Sequence, residues 1–255
     1  MRNVWIICRK ELRSYFVSPV AYILLVTFAV IFGYFFWASL RGFLNYSMEA
    51  TMEGEQFPMN VNEQLLRGLL ANVNVIELLF IPLITMRLFA EEKRSGTIEL
   101  LTTSPVTDLQ VILGKWLSAL IMYSFVLLAT ALDLLFLFKF GNPDWKPLAI
   151  GYLGLLLQAG GLLAIGTFIS TLTRNQIIAG AVTFGACLLL FVFGWVSQFD
   201  NSTWAQVLSY MSLNSHFDSF ARGVLDTKDA VYYLSVIFLG LFFTSRSMES
   251  MRWRS

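Results

Sequence analysis

Two acidic side chains stand in stretches of sequence that are otherwise apolar, and they are the first candidates for chemistry. Glu77 is the only charged residue between positions 69 and 86, and Asp133 is the only one between 116 and 138. Asn74 lies three residues before Glu77, so both side chains share one helix face. Such groups either line a polar path through an apolar region or reach water at its edge. Both readings stay open for Asn74 and Glu77 as a candidate substrate path, whereas we expect Asp133 to reach water.

The sequence offers no set of residues for covalent or metal chemistry. His216 is the only histidine, so a metal site or a catalytic pair has no second imidazole. Cys8 lies in a basic segment and Cys187 in an apolar run, which is not the pattern of a disulfide framework. We therefore predict no catalytic residue and no metal ligand, and an intramembrane enzyme is disfavoured.

Composition indicates a membrane protein. Of 255 residues 56% are hydrophobic and 14% charged, against about 25% charged in soluble domains. The net charge of +1 gives no reason to expect a nucleic-acid partner. Crossing a bilayer takes about 20 apolar residues, and six runs come close to that length: about 20–40, 69–90, 109–138, 148–172, 177–199 and 228–246. We predict an all-α integral membrane protein with six spans in one transmembrane domain, residues 1–255.

The basic residues predict the orientation of these spans. Twelve of the 18 lysines and arginines fall on the side that holds both termini and the stretch 89–110, and six fall on the other side. Because positive loops stay on the inner side, we expect a multi-pass protein of the cytoplasmic (inner) membrane with both termini cytoplasmic. The loop 41–68 and the segment 200–229 would then lie outside. In that segment, we expect Asn214 to cap a short helix that stops at Gly223.

The N-terminal residues 2–17 are too polar to cross a bilayer but have two distinct helical faces. The apolar face holds Trp5, Cys8, Leu12 and Phe16, and the basic face holds Arg2, Arg9 and Arg13. This pattern predicts an amphipathic interfacial helix on the inner leaflet. The alternative is a basic flank that only orients the chain.

The polar stretch 89–110 separates the second and third spans. The second span is expected to continue as a helix through 87–94 and to end at Gly96. A short helix follows over 97–103, and Pro105 stops it. The four residues 107–110, Thr-Asp-Leu-Gln, form a capping-box pattern that restarts the helix. A helix–helix connection needs only about two to eight residues. The longer stretch is therefore either a structured docking segment for a soluble partner or a solvated loop.

The sequence of this stretch resembles a known family. Its motif residues are Glu91, Glu92, Gly96, Thr97, Glu99, Leu100, Leu101 and Pro105, followed by Gly114 and Lys115. This string resembles the signature of ABC-2 type transporter permeases, which have an amphipathic N-terminal helix and six spans. The segment 215–229 resembles the gliding-motility-associated subgroup of these permeases. A third leucine that is frequent in the family is replaced by Thr102.

The resemblance implies a function and partners. The loop between spans two and three of such permeases carries a coupling helix that contacts a separate ATPase. By this resemblance the motif residues from Glu91 to Pro105 are the ATPase-coupling residues, and the chain is the permease subunit of an exporter. It also implies a pair of ABC ATPase subunits and a second permease chain, identical or paralogous, embedded in membrane lipids.

Nucleotide chemistry is expected in the partner. A phosphate-binding loop needs Gly-x-x-x-x-Gly-Lys-Ser/Thr, but Gly114-Lys115 is followed by Trp116 and lacks the earlier glycine. We therefore predict no cofactor in this chain, with ATP and Mg²⁺ bound by the ATPase. Pro82 is a candidate hinge in the second span, just above the coupling stretch.

Two other functional classes stay open at this point. One is a membrane anchor or mechanotransmission subunit that uses the same ATPase coupling but moves no solute. The other is a secondary transporter, which would show inverted repeats and midplane charges. Small residues of span four (Gly160, Gly161, Ala164, Gly166) and of span five (Ala181, Gly185) predict close helix packing, mainly within the chain.

Overall fold

The fold is a bundle of helices. A computed structural model describes residues 2–52, 61–97, 106–141, 143–199 and 202–252, and the regular structure within these ranges is helical throughout. The helices in chain order are α1 (Arg2–Val17), α2 (Pro19–Met52), α3 (Arg67–Thr85), α4 (Ala90–Ser95), α5 (Asp108–Leu128), α6 (Ala131–Gly141), α7 (Trp145–Leu172), α8 (Gln176–Phe199), α9 (Thr203–Met211), α10 (Leu213–Ala221) and α11 (Thr227–Arg252). A π-helical segment, Asn62–Leu66, leads into α3.

Six helical stretches are long and apolar enough to cross a membrane. They are Pro19–Glu49, Asn62–Ser95, Asp108–Leu128, Trp145–Leu172, Gln176–Val196 and Thr227–Met251. The predicted all-helical class and the number of six spans are therefore confirmed. The sidedness of the chain stays a prediction.

Two connections differ from the expectation. Helix α2 continues to Met52, so the predicted outer loop 41–68 is helical over its first part. The predicted third span, 109–138, is divided into α5 and α6 by a turn at Ala129 and Thr130. The Thr130 hydroxyl donates to the Leu127 carbonyl (2.6 Å), and the Thr130 amide bonds the same oxygen (3.1 Å). In an uninterrupted α-helix the Leu127 carbonyl would accept from the amide four residues later, whereas here it accepts from Thr130.

Helix α7 is central and packs on α3, α5, α8, α10 and α11. Its glycines permit this close approach. A Cβ added at Gly166 would lie 2.4 Å from the Thr85 hydroxyl, and one at Gly161 would lie 3.1 Å from Val236. The packing predicted for span four is therefore present within the chain. A Cβ added at Gly185 of α8, in contrast, would meet nothing within 4 Å.

Helix α1 packs along the start of α5. Gly114 permits this contact, because a Cβ there would lie 2.8 Å from the Ile7 side chain and 3.0 Å from the Val4 carbonyl. Of the predicted apolar face, Cys8 is buried, whereas Trp5 is 60% exposed. The buried face of α1 thus includes Cys8 and Tyr15 and differs from the predicted apolar face. The interfacial location of α1 stays a prediction.

Two short helices, α9 and α10, form a corner at the end of the bundle opposite α1. The expectation that Asn214 caps the second helix is wrong: Ser212 occupies the N-cap position, and the Asn214 amide oxygen accepts a hydrogen bond from Asn74 (2.8 Å). The chain stops α10 near the expected place, with Gly223 at φ 76°. Helix α9 was not predicted, and the Ser202 hydroxyl caps it by accepting from the Ala205 amide (3.3 Å).

Candidate functional site

Within the polar stretch 89–110 the first helix is α4, which follows α3 after a turn. The expected continuous helix is interrupted at residues 86–89, where the Ser170 hydroxyl of α7 accepts from the amides of Phe89 and Ala90 (both 3.1 Å) and contacts the Met86 carbonyl oxygen (3.3 Å). A side chain from another helix thus supplies the bonds that the broken helix lacks. As expected, Gly96 ends α4 in the left-handed conformation, at φ 73°.

The motif residues fall into two groups. Glu91, Glu92, Gly96 and Thr97 are placed by the structure, on α4 and just after it. Glu99, Leu100, Leu101 and Pro105, together with the predicted short helix, lie outside the described residues. The structure resumes before α5, where the predicted capping box is wrong. Thr107 makes no side-chain cap, and the Gln110 amide oxygen instead accepts from Asn3 of α1 (3.1 Å).

A buried ion triad joins this stretch to two other helices. The Lys115 side chain on α5 is 1% exposed, and its ammonium lies 2.9 Å from Glu92 Oε1 and 3.0 Å from Glu11 Oε1. It also donates to the Leu88 carbonyl (2.7 Å) and lies over the Phe89 ring, 5.2 Å from its centroid. All three ammonium hydrogens thus have acceptors. The triad therefore connects α1, α4 and α5 through one cation.

Sequence reasoning did not pair Lys115 with these acids. It is the only charged residue between positions 109 and 132. A buried ammonium requires carboxylate partners, so its isolation was a signal that acids from elsewhere must reach it. The choice of Glu11 and Glu92 depended on the packing of α1, which sequence spacing does not show.

A second contact links α1 to the end of α3. The buried Tyr15 hydroxyl donates to the Ile84 carbonyl (2.8 Å), and the Arg87 guanidinium lies 4.0 Å from the centre of the Tyr15 ring. Burial raises the pKa of the Tyr15 hydroxyl, so it stays a donor. The Arg87 charge is therefore held against α1 by a cation–π contact.

A cleft of about 440 Å³ opens between α1 and α4. Its walls are strongly charged and include the motif residues Glu91 and Glu92. They are formed by Lys10, Glu11, Ser14, Arg87, Leu88, Glu91, Glu92, Ser95, Thr97 and Lys115. The Lys93 ammonium, on another side of α4, donates to the Thr171 carbonyl at the end of α7. Helix α4 is thus bonded to its neighbours on one side and presents an open charged cleft on the other.

The candidate path residues Asn74 and Glu77 are buried, at 1% and 0% exposure. The Gln158 amide of α7 donates to both, and Tyr123 of α5 donates to Glu77. The Tyr233 hydroxyl of α11 lies 3.0 Å from the Gln158 oxygen. These side chains form one polar network inside the bundle. Gln158 was missed, although it is the only amide side chain in the apolar run 148–172.

The two other sequence-predicted residues lie apart from this network. Asp133 is half-buried in α6. Pro82 is buried within α3, which ends three residues later at Thr85. The Met86 amide bonds the Pro82 carbonyl (2.9 Å), so the helical hydrogen bonding persists up to the turn. Pro82 therefore lies within about one helical turn of the break at residues 86–89, between α3 and α4.

Comparison with known proteins connects this geometry to one family. A sequence profile of the ABC-2 family transporter protein matches residues 44–245, most of the chain. Two curated relatives are each named "Probable multidrug ABC transporter permease YbhR", from Escherichia coli strain K12 and from Escherichia coli O157:H7. Each is 28% identical over 161 residues, which is 62% of this chain and 43% of the relative. The matched part thus spans less than half the length of these relatives.

Proposed function

Because the chain belongs to the ABC-2 family of transporter proteins, we propose that it is the membrane-spanning permease subunit of an ATP-binding-cassette exporter. A separate ATPase subunit binds ATP and Mg²⁺ and drives the permease. The observation that carries this proposal is the ion triad of Lys115, which ties the coupling stretch to the bundle beside an open charged cleft. The relatives' names support the transporter class.

The triad offers a physical route for coupling. A soluble ATPase docks on α4, Gly96, Thr97 and the motif residues that follow, and its movement pushes this segment. Since Lys115 bonds Glu92 and Glu11 at once, a displaced α4 moves α1 and α5 with it. The turn after α3 localises the movement near Pro82, which makes that residue the candidate hinge.

The buried polar network bears on the substrate path. In this conformation Asn74 and Glu77 are hydrogen-bonded to Gln158, and Glu77 also to Tyr123. If they line a path, the path opens only when α7 moves away from α3. In the proposed cycle the push on α4 supplies that movement, because Ser170 of α7 bonds the first residue of α4. The identity of the cargo does not follow from these contacts.

The proposal includes a second permease chain. Helices α2 and α8 are long and apolar but bury little of their surface within the chain, and their exposed side chains include Tyr22, Val26, Val30, Trp37, Val182, Leu189 and Trp195. Such faces contact lipid or another membrane helix. A family-type assembly would pair two permease chains, identical or paralogous, with two ATPases in the cytoplasmic membrane.

Copurification tests this function. The tagged chain is isolated from its native membranes beside a Gly96→Pro variant, which cannot adopt the left-handed conformation that ends α4. We expect an ATPase with a phosphate-binding loop to accompany the parent and to be lost with the variant. The matched control is Asp226→Asn, a change at an exposed site at the opposite end of the bundle. An ATPase absent from every preparation would contradict the proposal.

A further inference from the structure

His216 of α10 is buried with both ring nitrogens facing hydrogen-bond acceptors. Nδ1 lies 2.7 Å from Asp229 Oδ1 of α11, and Nε2 lies 2.9 Å from the Tyr210 carbonyl of α9. A carbonyl oxygen has no hydrogen to give, so Nε2 must be protonated. The contact at Nδ1 then also needs a proton, because a bare ring nitrogen and a carboxylate would repel each other. The pair His216–Asp229 therefore holds one proton more than a neutral imidazole beside a carboxylate.

Aromatic rings fix the imidazole in this position. The Tyr232 ring stacks on it, with centroids 3.9 Å apart and planes at 20°, and the Tyr210 ring meets it edge-on at 5.0 Å. The imidazole therefore cannot turn without displacing both tyrosines. A ring face also favours a cation beside it, which suits the doubly protonated form.

Among the residues that the structure describes, the other charged groups near the imidazole are paired. Lys228 of α11 pairs with Asp226 (3.1 Å). Asp218 of α10 pairs with Arg67 of the adjoining α3 and with Arg222 (both 2.6 Å). The Tyr233 ring of α11 lies 6.4 Å from the imidazole, and its hydroxyl contacts Gln158 of α7, which bonds Glu77 of α3. Cys187 is a buried titratable group of α8. Asp229 is thus the carboxylate that bonds the imidazole, and its second oxygen is buried without a partner.

The contact to Tyr210 belongs to a set that holds the corner between α9 and α10. The Ser215 hydroxyl bonds the carbonyls of Ser209 and Ser212. The hydroxyls of Tyr232 and Tyr233 donate to the carbonyls of Met211 (2.6 Å) and Leu213 (2.8 Å). Side chains of α10 and α11 thus lie within hydrogen-bond distance of each carbonyl from 209 to 213, and the single Ser215 hydrogen is shared between two of them. Histidine is the donor in this set whose proton count ordinarily changes near neutral pH.

We propose that His216 is a proton-dependent clamp that fixes the end of α9 to α11. When the shared proton leaves, the imidazole keeps one N–H, which can bond either the Asp229 carboxylate or the Tyr210 carbonyl but not both. The charge-assisted bond to Asp229 is the stronger, so the bond to the Tyr210 carbonyl is the one that breaks. The clamp is therefore closed while the proton is bound and open once the proton has left. This inference does not depend on the identity of the ATPase or the cargo.

Because His216 is the only histidine, its state can be read without ambiguity. The full chain is labelled with ¹⁵N-histidine, reconstituted in lipid nanodiscs and followed by NMR from mildly acidic to alkaline pH. We expect both ring nitrogens to be protonated at the acidic end and one to lose its proton at higher pH. Hydrogen exchange of residues 203–213, corrected for its intrinsic pH dependence, should rise by several-fold at that same transition.

Two variants separate the clamp from a general effect of pH. In Asp229→Asn the amide can donate to Nδ1, so a neutral imidazole satisfies both contacts and the corner should stay protected at alkaline pH. Glu249→Gln, which changes an acid near the other end of α11, far from the ring, should behave as the parent. A neutral imidazole in the parent at mildly acidic pH, or a titration that leaves exchange of 203–213 unchanged, would overturn the proposal. The parent measurement decides this even if Asp229→Asn does not fold.

Discussion

The Lys115 ammonium lies 2.9 Å from Glu92 Oε1 although residues 96–107 separate α4, which carries Glu92, from α5, which carries Lys115. The contact therefore holds α4 beside the first turns of α5. Glu11 adds α1 to the same cation. The ion triad thus joins α1, α4 and α5 into one frame.

Loss of the Lys115 charge should weaken the frame strongly. Lys115→Met leaves the largely buried Glu92 without its cation and Glu11 with only the exposed Lys10, 3.7 Å away, and breaking a buried pair costs about 3–5 kcal/mol. We expect a clear fall in the thermal unfolding temperature of the purified chain in detergent. Lys10→Met is the control, because the Lys10 side chain is 67% exposed and should contribute little. Equal stability of parent and Lys115→Met would show that the triad does not brace the bundle.

The same frame should govern the reactivity of Cys8. Burial, with a smaller contribution from Glu11, raises the pKa of the Cys8 thiol, so less thiolate is present at neutral pH. In a Cys187→Ser background, maleimide labelling of folded protein should need more alkaline pH than labelling of unfolded protein. Lys115→Met should loosen α1 and accelerate labelling at fixed pH by several-fold. An unchanged rate would mean that α1 stays docked without the triad.

Two glycines allow a matched test of helix packing. Gly166→Ala in α7 places a methyl group 2.4 Å from the Thr85 hydroxyl, so α3 and α7 must separate or strain. Overpacking of this kind costs about 1–3 kcal/mol. Gly185→Ala in α8 meets nothing within 4 Å and should be neutral or slightly stabilising. Thermal unfolding of both variants checks the difference, and similar losses would argue against this packing of α3 on α7.

The buried network should depend on Gln158. Gln158→Leu keeps the volume but leaves Asn74 Oδ1 and Glu77 Oε2 without the amide that donates to them. Each buried polar group left unpaired costs about 1–3 kcal/mol, so the unfolding temperature should fall. Gln206→Leu at an exposed position of α9 is the control. A stable Gln158→Leu variant would mean that water or a rearranged side chain replaces the amide.

Local sequence chemistry predicted much of the fold. The six apolar runs correspond to six candidate spans, because a segment of about 20 residues placed in lipid must satisfy its backbone hydrogen bonds internally, which favours a helix. Gly96 and Gly223 end helices as expected, since each adopts a backbone conformation that other residues avoid. These features depend on residues close together in the chain.

The predictions that failed depend on distant partners. The Thr107–Gln110 capping box did not form because Asn3 of α1 takes the Gln110 side chain. Asn214 does not cap its helix, because Asn74 takes its amide oxygen. The break after α3 is stabilised by Ser170, more than eighty residues away. Periodicity along the chain carries no signal for such pairings, whereas isolated polar residues such as Lys115 show only that some partner must exist.

Photo-crosslinking in native membranes tests the central claim, that an ATPase docks on this cleft. A photoreactive residue is placed at the exposed Thr97, beside the cleft, and in a matched sample at the exposed Lys228, at the opposite end of the bundle. We expect a crosslink from position 97 to an ATPase with a phosphate-binding loop and none from position 228. A chain that crosslinks to no ATPase from position 97, or equally from both positions, would contradict it.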